Sequence, residues 1–124
     1  MEITILGRIP SKKNSRRPFI RGGRVMNFPS KDYVEWHKIA ELQILAKGIP
    51  EKPYENITAH ITIYAPDKRA SDLTNKAESI MDLLVDTGVI KDDNWFVCPL
   101  ILLQFGGVDK ENPRAIVKLS PLPS

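Results

Sequence analysis

The stretch from Asn56 to Tyr64 constrains this fold more than any other. There Ile57, Ala59, Ile61 and Ile63 alternate with Thr58, His60 and Thr62. A period of two puts successive side chains on opposite faces of a strand, so the segment belongs in a sheet with one covered face. Two segments have the pattern of covering helices. Lys31 to Lys47 carries Tyr33, Trp36, Ala40 and Ile44 at helical spacing, with Ser30 as N-cap, Gly48 at the end and Pro50 beyond. Asp72 or Leu73 to about Asp86 carries Leu73, Ala77, Ile80 and Leu84 on one face, and Gly88 suits its C-terminal cap. Further strands are expected at Glu2–Arg8, at the strongly apolar Trp95–Phe105 and at Arg114–Leu119, the last two joined across Gly106-Gly107. Residues 9 to 30 hold Pro10, Pro18, Gly22, Gly23 and Pro29 and read as a long loop with a small hairpin around Gly22-Gly23. A loop of that length in a compact domain is more often functional than idle. The order βαβαββ defines an α+β fold in one domain, 1–124. It predicts a mixed or antiparallel sheet of about four strands with two helices on one face.

Several classes are excluded early. At 42% hydrophobic residues the chain builds a real core, which argues against a disordered tail. Cys98 is the single cysteine, so neither an intrachain disulfide framework nor a cysteine-rich zinc site is available. The N-terminus lacks a basic segment followed by an apolar stretch, and no run approaches the roughly 18 apolar residues of a membrane span, so a soluble cytoplasmic protein is expected.

The net charge of +3 is unevenly spread. Arg8, Lys12, Lys13, Arg16, Arg17, Arg21, Arg24 and Lys31 follow one another with no acidic residue between them. From Ser71 to Asp93 the sign reverses: Asp72, Glu78, Asp82, Asp86, Asp92 and Asp93 are set against Lys76 and Lys91. Basic residues suit phosphate neutralisation and clustered carboxylates suit hard divalent cations. Asn75, Glu78 and Asp82 are spaced i, i+3 and i+7, on a face away from the Leu73/Ala77/Ile80/Leu84 stripe. Asp72 stands at the helix entrance, and the Asp92-Asp93 pair is positioned to meet Asp72 and Glu78 if the following strand runs beside that entrance. Carboxylates brought that close stay ionised only with a cation among them. Magnesium resolves the conflict, and it takes phosphate as its other partner. The plainer alternative makes Asp72 an N-cap, Glu78 and Asp82 solvent-facing, and Asp92-Asp93 a polar turn.

With these residues in view, the sequence resembles the RusA family of Holliday-junction resolvases over nearly its whole length. The marks are Gly7-Arg8-Ile9-Pro10-Ser11-Lys12-Lys13-Asn14, Pro29-Ser30 before a helix with Tyr33 and Trp36, and Arg69. They continue with Asp72-x-x-Asn75, Asp82-x-Leu84 and Gly88-Val89-Ile90-x-Asp92-Asp93. The resemblance implies a magnesium-dependent homodimer that makes paired nicks in branched DNA during recombination and repair, of a kind often carried by prophages. It implies that Asp72 is a catalytic aspartate and that Asp93 closes the metal site. Two departures stand out: Thr74 replaces the second aspartate of the usual Asp-x-Asp-Asn, and Glu78 stands where a lysine is usual. We read them as a compensated swap, Glu78 supplying the missing carboxylate and Lys76 or Lys13 the lost positive charge. The expected catalytic set is therefore Asp72, Glu78 and Asp93. The metal ligands are expected among Asp72, Glu78, Asp92 and Asp93, and the DNA contacts at Lys12, Lys13, Asn14, Arg16, Arg69, Asn75 and Lys76.

The remaining chemistry-bearing residues read as structural. His37 and His60 are isolated, Cys98 is a buried inert thiol, and Trp36 and Trp95 are assigned to the core, with a place near the site as the alternative for Trp95 beside Asn94. Two functions compete with the endonuclease: a junction-binding module with weak or lost catalysis, kept open by Thr74 and Glu78, and a metal-binding regulatory domain with no DNA partner.

Overall fold

The computed structural model describes residues 1–11, 16–21 and 24–122, of which 16–21 and 24–29 are described as backbone alone. The alternating segment forms strand β4 (Ile57–Ala65), and its Ile57, Ala59, Ile61 and Ile63 are all buried. Strands β1 (Glu2–Leu6), β5 (Leu100–Val108) and β6 (Arg114–Pro121) join it in a sheet of order β1-β6-β4-β5. β6 pairs antiparallel with both β1 and β4, whereas β5 runs parallel to β4, making the sheet mixed. A separate hairpin, β2 (Arg16–Arg21) with β3 (Arg24–Pro29), pairs from Arg16↔Pro29 to Arg21↔Arg24. Apart from that hairpin, the sheet strands and helices follow the expected βαβαββ order.

Helices α1 (Lys31–Lys47) and α2 (Leu73–Asp86) lie over one sheet face. Ala40 and Ile44 of α1 and Ile80, Leu83 and Leu84 of α2 share a core with Ile3, Ile5, Ile61 and Val117. Burying a side chain of this size contributes roughly 1.5–3 kcal/mol, so this single core is the main source of stability. Ser30 caps α1 by accepting from the Tyr33 amide, and Gly48, at φ 105°, ends it by donating to the Ile44 carbonyl. Among the described residues no helix is long and apolar enough to cross a membrane.

Strand β5, the third of the sheet in chain order, begins later than its apolar run suggests. Residues 94–98 form a tight turn: Asn94 Oδ1 accepts from the Phe96 and Val97 amides, and its carbonyl accepts from Val97 and Cys98. Pro99 then offers no N–H, and pairing starts at Leu100. The turn holds Trp95 and Phe96 outward, 76% and 78% exposed, so Trp95 is not a core residue. β5 is the edge of the sheet, and Leu100, Ile101, Leu102, Phe105 and Val108 along it are exposed. Its register with β4 shifts from Ile63↔Phe105 to Tyr64↔Gly107, leaving Gly106 as the extra residue of a bulge.

One further set of bonds positions the site. After β1 the chain turns at Gly7 (φ 96°), whose amide donates to the Pro113 carbonyl. It is then tied to α2: Lys76 Nζ donates to the Ile9 carbonyl at 2.6 Å, and Ser79 Oγ to the Pro10 carbonyl at 2.7 Å. Ile9 is buried, so the root of the basic segment is fixed against α2.

Candidate active site

Helix α2 carries most of the candidate chemistry because its N-terminus is built by a carboxylate. Asp72 is the N-cap: its Oδ1 accepts from the Thr74 amide (3.0 Å), the Asn75 amide (3.3 Å) and the Thr74 hydroxyl (2.7 Å). Capping satisfies amides that a helix start leaves without partners. Thr74, in the place of the expected aspartate, thus serves the cap with both backbone and side chain.

Beyond the cap, Thr74, Glu78 and Asp82 follow one another at intervals of four on one flank of α2. With Ala77, Met81, Ile101, Leu103 and Asp93 they line a cleft of about 460 Å³. Three carboxylates and one hydroxyl thus share this cleft, and among the described residues no Lys or Arg lines it. Asp82 Oδ2 also accepts from the Tyr33 hydroxyl of α1 at 3.3 Å. The Thr74–Glu78 stacking and the shared cleft of Glu78 with Asp93 are juxtapositions the sequence suggested, whereas Asp72, expected to join them, is not among the residues lining the cleft. The membership of Asp82 and its link to Tyr33 were missed, although its position one turn beyond Glu78 was the available signal.

The other acidic residues are arranged differently. Asp92 Oδ1 accepts from the Asp93 amide at 2.7 Å and its Oδ2 from Asn94 Nδ2 at 3.1 Å. The hydrogen bonds from Asp93, foremost that of its backbone amide, hold the Asp92 carboxyl below its usual range. It therefore shapes the turn that presents Asp93, and it does not line the cleft. Among the described residues no group of three or more His, Cys, Asp or Glu side chains is close enough together to hold a metal ion.

Of the expected DNA contacts, Lys12, Lys13 and Asn14 lie outside the described residues, as does the side chain of Arg16. Arg69 pairs with Asp67, its Nε and Nη2 donating to Oδ2 at 3.2 and 3.0 Å; this guanidinium holds the Asp67 carboxyl low. Asn75 contributes its amide to the cap. Lys76 points away from the acidic cleft. Two positions along from it, Glu78 is about 160° away around a helix of 3.6 residues per turn.

His37, also read as structural, sits 2.8 Å from Asp86 Oδ2, and His60 bonds to Gln104 Oε1 at 3.1 Å. Cys98 is buried, and that burial raises its thiol pKa.

This small α+β domain sets a carboxylate-lined cleft and the root of a basic segment on one helix. The chain belongs to the RusA family of endodeoxyribonucleases, of the Holliday-junction-resolvase type. It matches the family described as "Endodeoxyribonuclease RusA" over residues 9–120. It is also 30% identical over 119 residues to a protein of Aquifex aeolicus (strain VF5) named crossover junction endodeoxyribonuclease RusA, an alignment covering 96% of this chain and 90% of that one.

Proposed function

We propose that this chain is a magnesium-dependent endonuclease that cuts Holliday junctions or related branched DNA in recombination and repair, working as a homodimer. The observation that carries the reading is the cleft shared by Glu78, Asp82 and Asp93 in a chain of this family. The donor set fits magnesium, a hard ion that takes oxygen ligands, keeps several waters and needs only one or two carboxylates beside a substrate phosphate. Glu78 and Asp93 would hold it, with Asp72 at the helix entrance. When bound, such an ion polarises a phosphodiester and lowers the pKa of a coordinated water. The protein residues do the rest. Asp72 fixes the start of α2, Tyr33 holds Asp82 from the neighbouring helix, and the Asp92–Asn94 turn presents Asp93. The segment with Lys12, Lys13, Asn14 and Arg16 would neutralise phosphates.

The homodimer reading rests on β5. It is an edge strand whose exposed Leu, Ile, Phe and Val side chains continue into exposed Trp95 and Phe96. An edge of this kind is a template for pairing, and a two-fold axis through it would present one site to each of two symmetry-related strands.

The reading as a junction-binding module with weak catalysis also has an observation behind it. Asp72 Oδ1 is engaged by three donors of its own helix, and the carboxylates do not converge on one point. One assay separates the two: nicking of a synthetic four-way junction, with magnesium against EDTA. Symmetric, magnesium-dependent nicks are expected. Tight binding with no product at any magnesium concentration would leave the binding module standing.

A further inference from the structure

On the other flank of α2 lies a second cleft, of about 560 Å³, lined by Arg8, Pro10, Ser11, Ser30, Asp32, Trp36, Ser71 and Lys76. Its charge is opposite in sign to that of the acidic cleft: two cations face one carboxylate. The cations come from different elements, Arg8 from the turn after β1 and Lys76 from α2, and the Lys76–Ile9 bond brings them together. Lys76 is held below its ordinary pKa, chiefly by burial and then by the charge of Arg8, with the charge of Asp67 acting the other way. Ser30 is the N-cap and Asp32 lies in the first turn of the 17-residue helix α1, whose N-terminus carries partial positive charge.

The independent observation is Trp36. Its indole Nε1 is shielded from solvent and, among the described residues, has no hydrogen-bond partner. A buried donor left without a partner costs roughly 1–3 kcal/mol, and such groups call for an explanation. Trp36 also lines the cleft, and a turn of its indole would bring the N–H to an acceptor bound there.

We propose that this cleft is an oxyanion site that takes a single phosphoryl group through Arg8, Lys76, the start of α1 and the Trp36 indole N–H. Resting on the endonuclease reading, the source of that group is a backbone phosphate of the DNA away from the scissile bond. A helix with its side chains is on the order of 10–12 Å across, and phosphates advance about 3.4 Å along the axis per strand. The two clefts on opposite flanks of α2 would therefore engage different phosphates of the DNA, more than one nucleotide apart. Asp32 is the one carboxylate among the described residues that line the cleft, and it disfavours a dianion more than a diester.

The test uses the indole N–H itself, in the full-length protein labelled with nitrogen-15. The chain has two tryptophans, and Trp95→Phe assigns the two indole signals. Inorganic phosphate, titrated at constant ionic strength, is expected to move the Trp36 signal saturably and leave the Trp95 signal in place; Arg8→Gln and Lys76→Met should each weaken that response. Short duplex DNA should move the same signal, and phosphate should compete with it. Trp36→Phe, which keeps an aromatic ring and removes the donor, should weaken duplex binding on the order of tenfold, as expected for a lost hydrogen bond to a charged acceptor. A Trp36 signal that answers neither ligand, or both indole signals drifting together without saturation, overturns the site. A response to phosphate and none to duplex overturns the DNA assignment and leaves a site for a free oxyanion. Nicking of a four-way junction is scored separately, so a protein that cuts without the Trp36 response refutes this inference alone. A protein that shows the response and never cuts refutes the endonuclease reading alone. Because Arg8 is exposed, Arg8→Gln keeps the test valid if Lys76→Met unseats Ile9 and fails to fold.

Discussion

Asp72 caps α2 and is proposed to serve a metal as well, and a pair of substitutions pulls the two roles apart. Its Oδ1 accepts three hydrogen bonds that start α2, so Asp72→Ala removes the cap while Asp72→Asn keeps an oxygen in the same place. Loss of an N-cap costs roughly 1 kcal/mol, within a range of about 0.5–2. The fully buried Ile80, Leu83 and Leu84 keep the later turns of α2 docked, so fraying is confined to the first turn and the middle of that range applies. For a domain of 124 residues, 1 kcal/mol lowers Tm by roughly 3–5 °C. Asp72→Asn should stay within about 0.5 kcal/mol of the parent, since Asn is as good an N-cap as Asp. If the carboxylate also serves the metal, both variants should lose at least about a hundredfold in single-turnover nicking. The expected pattern is therefore unequal melting and equal loss of cutting, read by thermal circular dichroism and by cleavage of a four-way junction in magnesium. Parental cutting by Asp72→Asn would reduce Asp72 to a cap and move the metal site to Glu78, Asp82 and Asp93. An unchanged Tm in Asp72→Ala would refute the capping argument.

Glu78→Gln should abolish nicking without a measurable change in Tm, because Glu78 is exposed and its charge faces the cleft; parental cutting would make it a solvated helix residue. Rebuilding the usual family pattern with Thr74→Asp and Glu78→Lys together should retain measurable cutting. Leu102→Lys, on the exposed edge of β5, should convert a dimer into a monomer in light scattering at micromolar concentration; a parent protein that is already monomeric, with and without junction DNA, sinks the dimer. Gly106→Ala should destabilise by roughly 1–3 kcal/mol in urea unfolding, since its Cβ would lie 2.7 Å from the Tyr64 ring, whose face is covered by Arg114 at 4.0 Å. Cys98, buried and with its thiol raised by that burial, should resist a disulfide reagent at neutral pH until the protein is unfolded.

How much of this was legible depended on whether the deciding interactions were local. β4 and both helices could be read because their periodicity reports burial directly, and the caps Ser30 and Asp72 lie next to the amides they serve. The start of β5 could not be read, because an apolar run looks the same whether it forms a strand or a turn. The deciding groups were Asn94, whose side chain organises the turn, and Pro99. The parallel pairing of β5 with β4 depends on the crossover through α2, which no residue of β5 announces. At the site, Thr74 and Glu78 were placed together by helical geometry alone, and Asp93 followed as a conjecture about strand direction. The basic cleft was invisible. Arg8 and Lys76 are 68 positions apart and meet through bonds to the Ile9 and Pro10 carbonyls, which leave no mark on side-chain patterning.

Because α2 carries opposite charges on opposite flanks, this helix should answer very differently to two kinds of genetic change. Substitutions act one position at a time, and most leave the rest of the helix facing the same way. Adding a single codon between Asp72 and Lys76 would turn every later residue by about 100°. Glu78 and Asp82 would leave their cleft, Lys76 would leave Ile9, and Ile80, Leu83 and Leu84 would leave the core, with every original residue still present. Reading frames related to this one should therefore tolerate substitutions at the exposed positions of α2 outside the site far better than any change in its length.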